Sequence, residues 1–182
     1  MRDPHAVAKC ALALAASLLA ACEPAPVVGD ARTLPTQASG RYLAASETAR
    51  LRTGDMTIER GGLVFTAGQV LYTRVLDPRR GYDPVAHGGD SYAALAVGPS
   101  DMAVELRRVT DQTLPAGAQG LCGDEAPAYV ALASAEHGKA VTLLAFAGAE
   151  PPGPDAMASR FCGAFAYEAP DGARTRQGVL LW

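Results

Sequence analysis

From residue 55 onward, apolar and polar positions alternate in short runs separated by turn residues. In DMTIER, residues 55–60, Met56 and Ile58 alternate with Thr57 and Glu59, the period-two pattern of a strand with one buried face. Gly61-Gly62 supplies a turn into LVFTA, residues 63–67, where Leu63 and Phe65 share a face. The two runs predict a hairpin. QVLYTRVL (69–76) predicts a third strand that completes a meander, and SYAALAV (91–97) a fourth. Gly98-Pro99-Ser100-Asp101 then turns into MAVELRRV (102–109), where Met102, Val104 and Leu106 alternate with Glu105 and Arg107.

The second half repeats this habit. AYVALAS (128–134) turns through EHGK (136–139) into AVTLLAFA (140–147), a run apolar on both faces, as a central strand is. The loop 148–159 holds Pro151, Pro152 and Pro154, which rule out regular structure over most of its length. FCGAFAYE (161–168) predicts another strand, with Phe161, Phe165 and Tyr167 on one face and Cys162 on the other. APDG (169–172) turns into a last segment ending GVLLW (178–182). The fold class expected is all-β: an antiparallel β-sandwich or barrel of about eight short strands. No long amphipathic helix is expected.

The N-terminus follows a different rule. Residues 10–21, CALALAASLLAA, form an apolar run of twelve behind Arg2 and Lys9. A spanning helix needs about 20 such residues, so the run fits the h-region of a secretory signal peptide. Leu19-Ala20-Ala21-Cys22 resembles the lipobox of bacterial lipoproteins. That resemblance implies diacylglyceryl transfer to the Cys22 sulfur, cleavage before Cys22 and acylation of the new amino terminus. Several acyl chains hold a protein firmly on a bilayer where one does not. The expected organisation is a lipoprotein signal peptide over 1–21, a lipidated cysteine and flexible tether over 22–40, and a single β domain over 41–182. The tether, EPAPVVGDARTLPTQASG after Cys22, is rich in Pro, Ala and Gly and lacks periodicity. Glu23 follows the cysteine in place of the Asp that favours inner-membrane retention in the resembled class. The location expected is therefore the outer membrane, facing the periplasm.

Composition narrows the function. Among 182 residues, 49% are hydrophobic and 19% charged, which excludes a disordered chain. The net charge of −3 comes with no basic stripe along the sequence, so nucleic acid is not an expected partner. There is no Asn, one Ile and two Lys, the mark of a GC-rich bacterial genome. The abundance of Arg reflects that bias and is weak support for anion recognition.

Two further cysteines, Cys122 and Cys162, are each followed by Gly and form no Cys-x-x-Cys pair. In an oxidising periplasm they are expected to form a structural disulfide closing a loop of about 40 residues, worth about 3–4 kcal/mol. The densest polar stretch, DPRRGYDPVAHGGD at 77–90, holds Arg79, Arg80, Tyr82, His87 and Asp90. Long loops on rigid scaffolds often carry recognition, making this a candidate binding loop. The alternatives are a solvated connection turned by Pro and Gly, or an acid–base or metal site built on His87 and its neighbouring carboxylates. His87-Gly88-Gly89 is similar to the oxyanion loop of some esterases, but no Gly-x-Ser-x-Gly elbow accompanies it. A zinc site needs about four ligands, and His87 and His137 are the only histidines after residue 5. No catalytic residue, metal or cofactor is expected.

Gly40-Arg41-Tyr42 is similar to the Gly-x-Trp opening of lipocalins, with Tyr for Trp. That similarity implies an eight-stranded barrel, and some bacterial lipocalins are outer-membrane lipoproteins. Ser39-Gly40-Arg41-Tyr42 is also similar to the Ser-Gly-x-x-Tyr motif of lipoprotein lysozyme inhibitors, with one residue missing. The function expected is a non-enzymatic binding or structural role in the cell envelope. The alternatives are a lipocalin-like barrel for a small apolar ligand, or an enzyme using the 77–90 loop. The expected partners are the membrane, through the lipid anchor, and an envelope protein or small apolar ligand. Mass spectrometry of membrane-extracted protein should find Cys22 acylated at the mature terminus, and Cys22→Ser should leave uncleaved precursor. A mature chain beginning elsewhere contradicts the lipobox reading.

Overall fold

A computed structural model of the chain describes residues 38–170. The expected signal peptide, Cys22, most of the tether and the GVLLW segment lie outside the described residues. The described chain is mostly strand: β1 (Gly40–Ala44), β2 (Met56–Ile58), β3 (Gly62–Phe65), β4 (Val70–Val75), β5 (Arg79–Arg80), β6 (Ala103–Thr113), β7 (Tyr129–Ala135), β8 (Ala140–Ala147) and β9 (Arg160–Glu168). Two short helices interrupt them, α1 (Glu47–Arg52) and α2 (Tyr92–Ala96).

The pairing closes. β1 through β4 form a meander, β4 pairs with β6, β6 through β9 continue it, and β9 returns to β1, every pair antiparallel. The result is an eight-stranded antiparallel barrel, the barrel form of the expected fold class, in which each of the eight strands has a partner on both sides. β5 is an appendage that pairs with the start of β6 at Val104 and Ala103. The turn after β2 and the registers of β3 and β4 match the hairpins read from the sequence.

Closure divides every strand into inner and outer positions. Inside lie Tyr42, Met56, Ile58, Leu63, Phe65, Leu71, Val130, Leu132, Val141, Leu143, Phe165 and Tyr167, each at most 2% exposed. A second apolar cluster covers the outer wall of β6–β8. There Val104, Leu106, Ala131, Leu144 and Phe146 pack beneath Val85, Tyr92 and Ala93 from the β4–β6 connection. This second layer explains why β8 is apolar on both faces.

Two sequence expectations change, and two elements appear where none was assigned. SYAALAV is helical over Tyr92–Ala96, not a strand: Ser91 caps it, accepting from the Ala94 amide at 3.2 Å, and three alanines favour the helix. A second short helix, α1, follows β1, capped by Ser46, with Glu47 in its first turn and Arg50 and Arg52 in its last, matching the helix dipole. Third, β1 itself was not anticipated as a strand; it begins at Gly40, and Ala38 before it is buried. Finally, Phe161 does not share a face with Phe165 and Tyr167. The β8–β9 register shifts between Ala145 and Phe146, so that Gly163 faces Ala145 while Phe161 faces Phe146. The extra residue is Cys162, a bulge that turns it toward the inner core and leaves Phe161 outside against the Phe146 ring.

Cys162 bonds to Cys122 as expected, with Cα atoms 5.0 Å apart and a sequence separation of 40. The bond anchors the 114–127 connection, whose Leu121 is buried in the inner core. Arg52 Nη2 donates to the Gly120 carbonyl and Gln69 Nε2 to those of Arg52 and Gln119, binding α1 and this connection together at one barrel end. Reducing the disulfide should lower unfolding free energy by about 3–4 kcal/mol, measured by denaturant titration with and without reductant; an unchanged midpoint contradicts a stapling role. Val97 ends α2 in the left-handed region, at φ 52°, with 93% of its surface exposed. A β-branched residue there is strained by about 1–2 kcal/mol, and its exposed side chain contributes little burial. Val97→Gly should therefore stabilise the protein, raising its melting temperature, whereas Val97→Ile should not.

Candidate functional site

β6 carries the least expected feature. Its register sets Glu105 against Leu132 and Arg107 against Val130, both inward positions, and Leu106 against Ala131, an outward one. The charged side chains therefore enter the barrel, and the apolar ones support the covering layer outside. Glu105 is 6% exposed and Arg107 3%. Arg107 Nε donates to Glu105 Oε1 at 2.5 Å, and Nη1 donates to the Glu59 carbonyl at 2.9 Å and to Thr73 Oγ1 at 3.2 Å. One guanidinium thus joins β6 to β4 and to the turn after β2. Glu105 Oε2 is buried and meets no protein donor, which leaves one acceptor open inside the barrel.

Such a pair is costly to desolvate, and its net contribution to stability is small or negative against an apolar replacement. Removing one member is a different matter, because the other is left buried and uncompensated. The arrangement can hold strands in register. Acid–base chemistry would need a substrate to reach a carboxylate enclosed by packed side chains.

Two buried phenols also make interior hydrogen bonds. Tyr42 donates to the Gly138 carbonyl at 3.0 Å, and the Tyr167 hydroxyl lies 2.6 Å from Thr53 Oγ1. Burial raises the pKa of both, so they act as neutral hydrogen-bonding groups. Outside the wall, Tyr92 donates to the Pro152 carbonyl at 2.9 Å, and burial pushes its pKa up to about 12.

The residues of the candidate binding loop do not converge. Arg79 and Arg80 form β5, which pairs with the start of β6 where the β4 pairing ends, so a short ladder runs through part of 77–90. Arg79 is half-buried, while the Arg80 side is exposed and its amide donates to Asp83 Oδ2 at 2.8 Å. Tyr82 is 63% exposed. His87 and Asp90 are exposed in a turn closed by the Val85 amide on the Asp90 carbonyl. The His87 amide donates to the Ala156 carbonyl, and the Gly153 amide to that of Val85. The loop is thus fastened to the 148–159 loop as a second layer on the barrel. Among the described residues, no three His, Cys, Asp or Glu side chains gather in a metal-holding cluster.

Glu105 and Arg107 are the site residues that sequence reasoning missed. Their alternation with Val104 and Leu106 reads as a solvent face, and only the covering layer inverts it. Comparison with protein-family models, curated proteins and solved structures finds no match. Arg107→Leu should cost about 3–5 kcal/mol by stranding Glu105, whereas Glu105→Leu with Arg107→Met should recover most of that loss. Denaturant unfolding of both variants checks this; a single variant as stable as the double contradicts the buried pair.

Proposed function

We propose that the chain is a membrane-anchored envelope lipoprotein whose barrel presents its outer surface to a partner. The role is binding or structural, not enzymatic. The lipobox-like Leu19-Ala20-Ala21-Cys22 supports the anchor. The filled interior carries the rest of the reading. Tyr42, Met56, Phe65, Phe165 and Tyr167 occupy the space a carried ligand would need, and each is at most 2% exposed. Leu121 and α1 with its buried Ala49 close over the same core. Elaboration lies outside, in the α2 layer and the two fastened loops, and recognition commonly uses loops held on a rigid scaffold.

A second reading, a lipocalin-like carrier of a small apolar ligand, is favoured by the eight-stranded up-and-down barrel itself. An apolar fluorescent probe separates the two. Under the filled-barrel reading the wild-type protein leaves the probe dark, and Phe165→Ala, by opening a cavity, creates binding. Saturable one-to-one binding by the wild type, displaced by a fatty acid, establishes the carrier reading instead. Crosslinking in cells followed by mass spectrometry should then recover an envelope protein joined through outer-surface residues.

A further inference from the structure

The outer wall of the barrel is uneven. Over β6–β8 it is covered by the α2 layer, whereas over β3 and β4 exposed side chains include Val64 at 37% and Tyr72 at 48%. Arg74 on β4 faces Arg108 on β6 directly in register. Both are exposed and on the outer face, since their neighbours Thr73 and Arg107 point inward. In the turn that joins β2 to β3, Arg60 is exposed, and the carbonyl of the next residue, Gly61, accepts from the Thr73 amide of β4. Two arginines therefore face each other across the β4–β6 seam and a third lies in the neighbouring β2–β3 turn, on a wall that also exposes Tyr72 and Val64.

Like charges placed directly opposite on paired strands oppose folding. The ion pairs among the described residues are Arg41–Asp55, Arg107–Glu105 and Arg160–Glu125, so none compensates these arginines. Glu59 and Asp77 are exposed close by in sequence, and Asp111 stands opposite Tyr72 one step along the wall. The abundance of Arg in this chain is a genome bias, but the pairing of Arg74 with Arg108 on the wall that exposes Tyr72 and Val64 is a feature of the fold.

We propose that this β3–β4–β6 wall docks on the anionic surface of the membrane that holds the lipid anchor. Arg60, Arg74 and Arg108 meet lipid phosphates, while Tyr72 and Val64 enter the headgroup boundary. The occupant follows from charge complementarity. Guanidinium groups suit phosphate, and a tyrosine with an apolar body and polar tip suits the interface. The proposal rests on the lipoprotein reading for its source of membrane proximity, but the wall's own affinity is measurable without an anchor.

The test uses full-length protein purified from membranes, with Tyr72→Trp as reporter and Trp182, the single tryptophan of the wild type, as the baseline. The protein's mass first reports whether Cys22 is acylated, which tests the anchor alone. The protein, acylated or not, is then mixed with vesicles of phosphatidylcholine, or of phosphatidylcholine with brominated phosphatidylglycerol. The expected result is blue-shifted, bromine-quenched reporter emission on the anionic vesicles. Quenching should be lost in high salt and absent in Arg60→Gln/Arg74→Gln/Arg108→Gln. If the protein is unacylated, each arginine removed should lower vesicle partitioning about fivefold. Quenching no greater than the wild-type baseline overturns the docking. So does quenching that the triple variant retains. Emission that shifts with a soluble polyanion but is not quenched by brominated lipid also overturns it, and assigns the arginines to an anionic macromolecule.

Discussion

The seam between β4 and β6 is the constraint on which the rest of the structure depends. Without it, two meanders joined at β1 and β9 would form an open sheet with two unpaired edges. Closing the seam makes an inside, and an inside must be filled. Aromatic and aliphatic side chains from seven strands fill most of it. At the seam, Arg107 bonds Thr73 across the two strands and the Glu59 carbonyl of the neighbouring turn, with Glu105 supplying the counter-charge. The connection between β4 and β6 is long because it does a second task. After β5 has paired with the start of β6, it returns over the outer wall through Val85 and α2 and buries the apolar outer face of β6–β8.

That two-layer construction sorts what was legible in the sequence from what was not. Hairpins with one buried face were legible, because Met56, Ile58, Leu63 and Phe65 follow the period-two rule and glycines mark the turn between them. The Cys122–Cys162 bond was legible from cysteine number and expected compartment. β6 was legible as a strand but not in its orientation. Its outer residues are apolar because a cover lies over them, and no local pattern distinguishes a covered outer wall from a barrel interior. The same ambiguity made α2 look like a strand, since Tyr92, Leu95 and Val97 suit either element and the Ser91 cap decides. The flip of Phe161 follows from a one-residue bulge, which period-two reading cannot anticipate. For the candidate site, Arg79, Arg80, Tyr82, His87 and Asp90 were grouped by closeness in sequence, and folding spreads them over a short strand and a fastened turn.

Filling and covering have a functional consequence. A barrel packed inside and layered on one wall presents two different exposed surfaces. The uncovered β3–β4 wall and the loop layer differ in character. One places arginines beside an exposed tyrosine; the other exposes Tyr82, Val97 and Met157 on loops and a helix end. A protein tethered at one terminus and contacting a membrane with one surface would leave the other free for an envelope partner.

The filled interior and its covering layer exist only if the barrel is closed and the β4–β6 seam is a stable part of it. Native-state hydrogen exchange measures this strand by strand. The account predicts that the ladder amides of β4 and of the Arg107–Thr113 half of β6 exchange only through global unfolding, with the same opening free energy as those of β8. Seam amides that exchange orders of magnitude faster than β8, in protein whose β8 remains protected, would contradict a closed barrel.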